Sequence, residues 1–143
     1  MQQAGVNAYM AMQKEGLSGR DLEAAVLNRA ANMLRECQEK WGQEGFEALL
    51  DQAVTFNQRI WSFFQGELSS PDNPLPREIR ENILSLSVFV DSRLIDVLMN
   101  PAPELLNVVI SINQNLAAGL MQKTKQDDAQ DQAVNPGELV VSA

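Results

Sequence analysis

The sequence predicts an all-α protein: a compact single-domain bundle of about five helices with a disordered C-terminal tail. Apolar residues recur at three- and four-residue steps through most of the chain. No segment has the sustained alternation of a strand, and segments rich in proline, glycine or asparagine separate the apolar stripes. With 143 residues, 45% of them hydrophobic, the chain is long enough for one core. We therefore expect a helical domain over residues 1–121 and a disordered acidic and polar tail over residues 122–143.

Two helices are predicted in the first third of the chain. A short helix is expected over residues 7–15, with Asn7 as its N-cap and Tyr9 among its weakly periodic apolar residues. A second helix follows a capping-box-like pair, Ser18 and Asp21, and ends near Trp41. Its apolar residues form one stripe, which predicts a face packed on the core.

Three further helices are predicted after residue 43. The third covers residues 44–64 and ends in a loop rich in proline, serine and asparagine. The fourth opens at Pro76, where a first-turn proline is tolerated, and continues to about residue 98. Its apolar band is so wide that we expect it to be the central helix of the bundle. The fifth covers residues 104–121, after a second proline-containing break.

The charge and the rare residue types exclude several functions. Nineteen acidic against eleven basic residues give a net charge of −8, which argues against direct binding to nucleic acid, where Lys and Arg supply most of the affinity. The chain has no histidine, the commonest general base and metal ligand, and no glycine-rich phosphate loop. Its single cysteine, Cys37, lies on an apolar stripe and is expected to be buried and inert. We therefore expect no enzyme activity, catalytic residue, metal site or cofactor.

The chain carries no predicted targeting or membrane segment. Its first residues lack the charged and apolar regions of a signal peptide. The most apolar window, residues 83–90, is far shorter than the roughly 20 residues that a membrane-spanning helix needs. We expect a cytoplasmic protein that is not inserted into a membrane.

Two polar clusters next to apolar stripes leave alternatives open. Asn57 and Trp61 share a helix face, so Asn57 either ties down a neighbouring loop by hydrogen bonds or joins Arg59 at the edge of a partner groove. Asn113 lies beside the inner stripe of the last helix, followed by the small residues 117–119. These residues allow close approach of another helix, belonging either to this chain or to a partner.

Five short motifs occur in an order that resembles one known family, the flagellar protein FlaF family. The resemblance covers roughly residues 7–121. The motifs are Asn7-Ala8-Tyr9, Asn57-Gln58-Arg59-Ile60-Trp61 with Phe64, Asn73-Pro74-Leu75-Pro76, the segment 84–90 and the segment 112–120. The resemblance implies a chaperone for flagellar type III secretion that holds the amphipathic terminal helices of flagellin before export and regulates flagellin synthesis. It also implies FlbT, a translational regulator, as a second partner.

We hypothesise a partner-binding groove between the helices, suited to an amphipathic partner helix. Tyr9 would contribute from the first helix. The groove's floor would be Trp61, Phe64, Phe89 and Leu116, and its polar rim would be Asn57, Arg59 and Asn113. The alternatives to a flagellin-binding chaperone are a regulator that contacts flagellin messenger RNA and an adaptor that joins FlbT to flagellin.

Overall fold

The computed structural model describes the backbone of residues 19–132 and the side chains as far as Met121. Within that range the chain forms α1 (Gly19–Glu39), α2 (Phe46–Ser69), α3 (Arg77–Met99), a 3₁₀ turn (Pro103–Leu106) and α4 (Asn107–Gln132). Residues 19–132 contain no strand, so the predicted all-α bundle is confirmed. The helix predicted over residues 7–15 lies outside the described residues.

Loop chemistry explains where the helices end. Gly42 and Gly45 have φ angles of +78° and +82°, a backbone conformation that glycine adopts without steric cost, and they turn the chain from α1 into α2. After α2, the side chain of Asn73 donates to the carbonyl of Glu67 (3.1 Å) and accepts from the backbone N–H of Leu75 (3.0 Å). Leu75 is partly buried against the core.

The core lies where α1 is sandwiched between α2 and α4. Helix α1 makes its most extensive contact with α4, and the buried residues of the two helices include the small residues Ala24, Ala31 and Ala117, all at most 1% exposed. Small side chains let the two backbones come close. Bulkier residues complete the core, among them Leu27, Leu34 and Trp61. This packing accounts for the apolar stripes predicted from the sequence.

Helix α3 lies at an edge of the bundle, so its predicted place at the centre is wrong. Its principal neighbours are α2 and the 3₁₀ turn. Only Ser87, Val90, Leu94 and Val97 of α3 are buried. Gln65 of α2 links the two helices, because its Nε2 donates hydrogen bonds to Ser87 Oγ (3.0 Å) and Asp91 Oδ2 (2.9 Å) of α3. The apolar band is wide because part of it faces outward, not because α3 packs on several sides.

The last helix is longer than predicted. Its backbone stays helical to Gln132, beyond the end expected at Met121. Polar residues can continue a helix because its backbone hydrogen bonds are internal. The spacing of apolar side chains therefore does not show where such a helix ends. In the described part of the chain, no helix is both long enough and apolar enough to cross a bilayer.

Candidate functional site

Three polar side chains form a hydrogen-bonded network inside the bundle. Asn57 Nδ2 on α2 donates to the carbonyl oxygens of Ala30 on α1 (3.2 Å) and Ala53 (2.8 Å). Asn113 Nδ2 on α4 donates to Asn57 Oδ1 (2.8 Å), and Trp61 Nε1 donates to Asn113 Oδ1 (2.9 Å). All three side chains are fully buried. The network therefore joins three helices at the centre of the fold.

The predicted polar rim is wrong for Asn57 and Asn113. Both amides have 0% exposure and are held by the chain's own donors and acceptors, as buried polar groups require. Trp61, predicted as a groove floor, is also a core residue at 0% exposure. Of the two alternatives for Asn57, the structure supports a structural hydrogen-bonding role, with a helix in place of a loop as its partner.

A cleft of about 430 Å³ opens at the end of the bundle where α1 begins. Its walls come from the start of α1, the end of α2, the loop after α2, Ile83 of α3 and the middle of α4. Phe64 and Leu116, two of the predicted floor residues, both line it. The structure thus brings these two residues together, in a cleft that excludes Trp61.

Two carboxyl groups meet at this cleft. Burial of the Glu23 side chain, followed in importance by the negative charge of Glu67 and a hydrogen bond with its carboxyl group, raises the pKa of Glu23 to about 7. Arg20 acts in the opposite direction. At neutral pH Glu23 is therefore divided between its protonated and ionised forms. No sequence pattern marks this pair, because its members are on different helices.

An exposed apolar face runs along α3. Nine large apolar side chains are exposed in the described part of the chain, and seven of them are on this helix. The seven are Ile79, Leu86, Val88, Phe89, Ile95, Leu98 and Met99. Val88, Ile95 and Met99, spaced by seven and four residues, lie along one line of the helix and are 67%, 54% and 72% exposed. We call these three residues the α3 outer face.

A comparison with protein-family models identifies the class of protein to which this fold and these surfaces belong. The family model described as "Flagellar protein FlaF" matches residues 6–120. The chain belongs to the FlaF family. The resemblance carried by the sequence motifs is therefore confirmed, and this is a flagellar protein. Searches of curated proteins and of solved structures return no match.

The remaining predicted site residues of this FlaF-family protein are dispersed. Phe89 is on α3, 40% exposed, with the Arg93 guanidinium 5.4 Å from its ring centroid. Arg59 is partly buried on α2. Tyr9 lies outside the described residues. The described residues of the predicted floor and rim therefore do not meet in a single groove, and the partner-binding roles of Tyr9, Phe64, Phe89, Arg59 and Leu116 stay predictions.

The outward-facing residues of α3 in this FlaF-family protein are mostly absent from the predicted site. Of the three residues of the α3 outer face, Ile95 belongs to the wide apolar band that predicted core packing, whereas Val88 and Met99 lie outside that band. The width of the apolar band was a usable signal. A helix that packs on one side needs only a narrow apolar stripe, so a wider band leaves apolar residues for a second surface.

Proposed function

We propose that this FlaF-family protein binds flagellin as a chaperone for type III secretion in the cytoplasm, and that the α3 outer face is its docking surface. The concentration of exposed apolar side chains on one helix carries the proposal. Single exposed apolar residues are ordinary on protein surfaces, whereas a contiguous apolar patch is typical of an interaction site. No catalytic step is part of this function.

The geometry of the α3 outer face fits a helix as its partner. Val88 and Met99 are separated by roughly 16 Å along α3, at 1.5 Å per residue, so the face spans about three helical turns. An amphipathic helix laid alongside would match this line with its own three- and four-residue spacing. The terminal helices of flagellin, the client implied by FlaF membership, have that character.

The experiment is isothermal titration of the full chain with monomeric flagellin, comparing two variants. We expect the double variant Val88→Asp/Ile95→Asp to weaken binding at least 10-fold, because each charge replaces an apolar contact (about 1.4 kcal/mol per tenfold change). Met121→Asp is the matched control, since Met121 is an exposed apolar residue on α4, and it should leave the affinity unchanged. Equal affinities for the two variants would remove the α3 outer face from the proposal.

Titration with flagellin trimmed at either terminus identifies the client segment. Loss of binding with one trimmed form would locate the recognised helix. Absence of binding to every form, with a normal helical circular dichroism spectrum, would refute the chaperone function itself.

A regulatory role in flagellin synthesis belongs to the same proposal, with FlbT as the expected partner. Direct contact with flagellin messenger RNA is the less favoured route, because the net charge of −8 opposes phosphate binding. Co-purification with FlbT from cells that lack flagellin would support an adaptor role. Binding to leader RNA that weakens steeply with salt would instead support direct regulation.

A further inference from the structure

The cleft at the start of α1 lies beside the point where the described chain begins. Gly19 and Arg20, its first two residues, are part of the cleft wall. Residues 1–18 therefore directly precede, in the sequence, two residues of the cleft wall.

The cleft offers more apolar surface than a short polar loop could cover. Seven large apolar side chains line it: Leu27, Phe64, Leu68, Leu75, Ile83, Leu116 and Leu120. Its volume of about 430 Å³ is in the range of cavities that enclose a drug-sized molecule. Contact with water over such a surface is unfavourable, by about 25 cal/mol per Å².

The segment before Gly19 has the composition and length to fill this space. Residues 6–17 contain five large apolar residues: Val6, Tyr9, Met10, Met12 and Leu17. Met12 is seven residues from Gly19, a separation of roughly 10 Å in a helix and at most about 25 Å in an extended chain. Methionine is flexible and fills irregular apolar gaps well.

Family membership points to the same occupant, and charge does not oppose it. The side-chain charges of Lys14 and Glu15 cancel, so the segment brings no net negative charge to a cleft wall that includes Glu23, Glu67 and Asp72 besides Arg20. The FlaF family model starts at residue 6, so the unit shared by the family includes this segment.

We propose that residues 6–17 of the same chain occupy the cleft, with Met12 and Leu17 against its leucines. The segment completes the core on the side where α1, α2 and α4 leave it open. This occupant is separate from the proposed flagellin contact, because the cleft and the α3 outer face have no residue in common.

Paramagnetic broadening in the full-length chain tests the proposal. A nitroxide is attached at Gln13→Cys in a Cys37→Ala background, so that the label has one site. We expect loss of the amide signals of Leu75 and Leu120, which line the cleft from two other elements. The same label at Gln43→Cys, in the loop between α1 and α2, is the control and should leave those signals intact.

A second pair of variants separates apolar docking from mere tethering. Met12→Asp/Leu17→Asp, with the label at residue 13, should restore the amide signals of Leu75 and Leu120. Gln2→Asp/Gln3→Asp adds the same charge at polar positions and should not restore them. Signals that stay lost in Met12→Asp/Leu17→Asp would mean that tethering alone brings the label near, and would overturn the proposal.

Other occupants give different results, each of which overturns the proposal. Intact cleft signals with the label at residue 13 would leave the cleft to something other than this segment. Broadening confined to Val88 and Ile95 would mean that the segment covers α3 instead. Broadening of an isotope-labelled, nitroxide-free chain mixed with a nitroxide-bearing one would identify a second copy as the occupant.

Discussion

Asn57, Trp61 and Asn113 decide how precisely the three inner helices fit together. A buried amide without partners costs free energy, so these residues are compatible with only those helix positions that satisfy their hydrogen bonds. Each polar side-chain atom of the trio has a partner in the structure. The network therefore selects one register of α1, α2 and α4 among those that apolar packing alone would allow.

Asn113→Ala should be strongly destabilising. It leaves Trp61 Nε1 and Asn57 Oδ1 buried without partners, at about 1–3 kcal/mol each, so we expect a loss of roughly 2–5 kcal/mol in the free energy of unfolding. Asn115→Ala, two residues along α4 at an exposed position, should change it by less than about 0.5 kcal/mol. Urea denaturation measures both. A similar small effect for the two variants would show that the network contributes little.

Glu23 should make stability depend on pH. Its pKa rises from 4.5 to about 7 on folding, so the folded protein holds a proton that the unfolded chain releases between these values. The contribution of Glu23 is greatest below pH 4.5 and is lost as the pH rises through 7. We expect Glu23→Gln to be more stable than the natural protein at pH 8, by about 1–2 kcal/mol, since solvent partly screens the charge.

Urea denaturation at pH 5 and pH 8 tests this expectation. The difference between Glu23→Gln and the natural protein should be larger at pH 8. Glu67→Gln, which removes the negative charge of Glu67 but leaves Glu23 buried, should produce a smaller change of the same sign. A difference that does not vary with pH would mean that Glu23 keeps its ordinary pKa.

At the scale of the elements, α3 differs from the other helices in having a buried and an outward-facing apolar side. Leu94 is fully buried in the core, whereas its neighbour Ile95 is 54% exposed. Burial of one side fastens α3 to the bundle, and the other side is available to a partner. The number of apolar residues in a helix does not show which of its apolar sides is buried and which is exposed.

Truncation of these two neighbours should have very different effects. Leu94→Ala should lower the free energy of unfolding by about 2–5 kcal/mol, because it leaves a cavity in the core. Ile95→Ala should change it by no more than about 0.5 kcal/mol, as at other exposed positions. Chemical denaturation of the two variants measures the contrast, and comparable losses would place Ile95 in a packed interface of the free protein.

At the scale of the whole molecule, the reactivity of the buried Cys37 thiol reports on global unfolding of the protein. The thiol is fully buried, and desolvation raises its pKa to about 11, so little reactive thiolate exists at neutral pH. We expect thiol reagents to modify Cys37 only through unfolding, with a rate that increases steeply in urea. Gln43→Cys, at an exposed loop position, should react at once. Equally fast modification of Cys37 without denaturant would mean that α1 opens locally.

The sequence by itself determined the fold class, the helices from residue 19 onward and the family. Helical periodicity and the residues that end helices act over a few neighbours, so a single chain displays them. The ends of α2 and α4 were exceptions: both helices continue beyond their last predicted apolar residue, because polar residues carry no periodic signal. The family motifs are likewise contiguous stretches of sequence.

Only the tertiary structure decided which side chains are enclosed and which remain on a surface. Asn57 is a core residue because the carbonyl of Ala30, 27 residues away, lies within 3.2 Å of its amide nitrogen. Ile95 is exposed because no described helix covers that side of α3, and Glu23 is perturbed because Glu67 comes from another helix. Similar apolar stripes can form part of a core or of an interaction surface. Whether a stripe is buried depends on which elements pack against it, and the sequence of the stripe alone does not determine that.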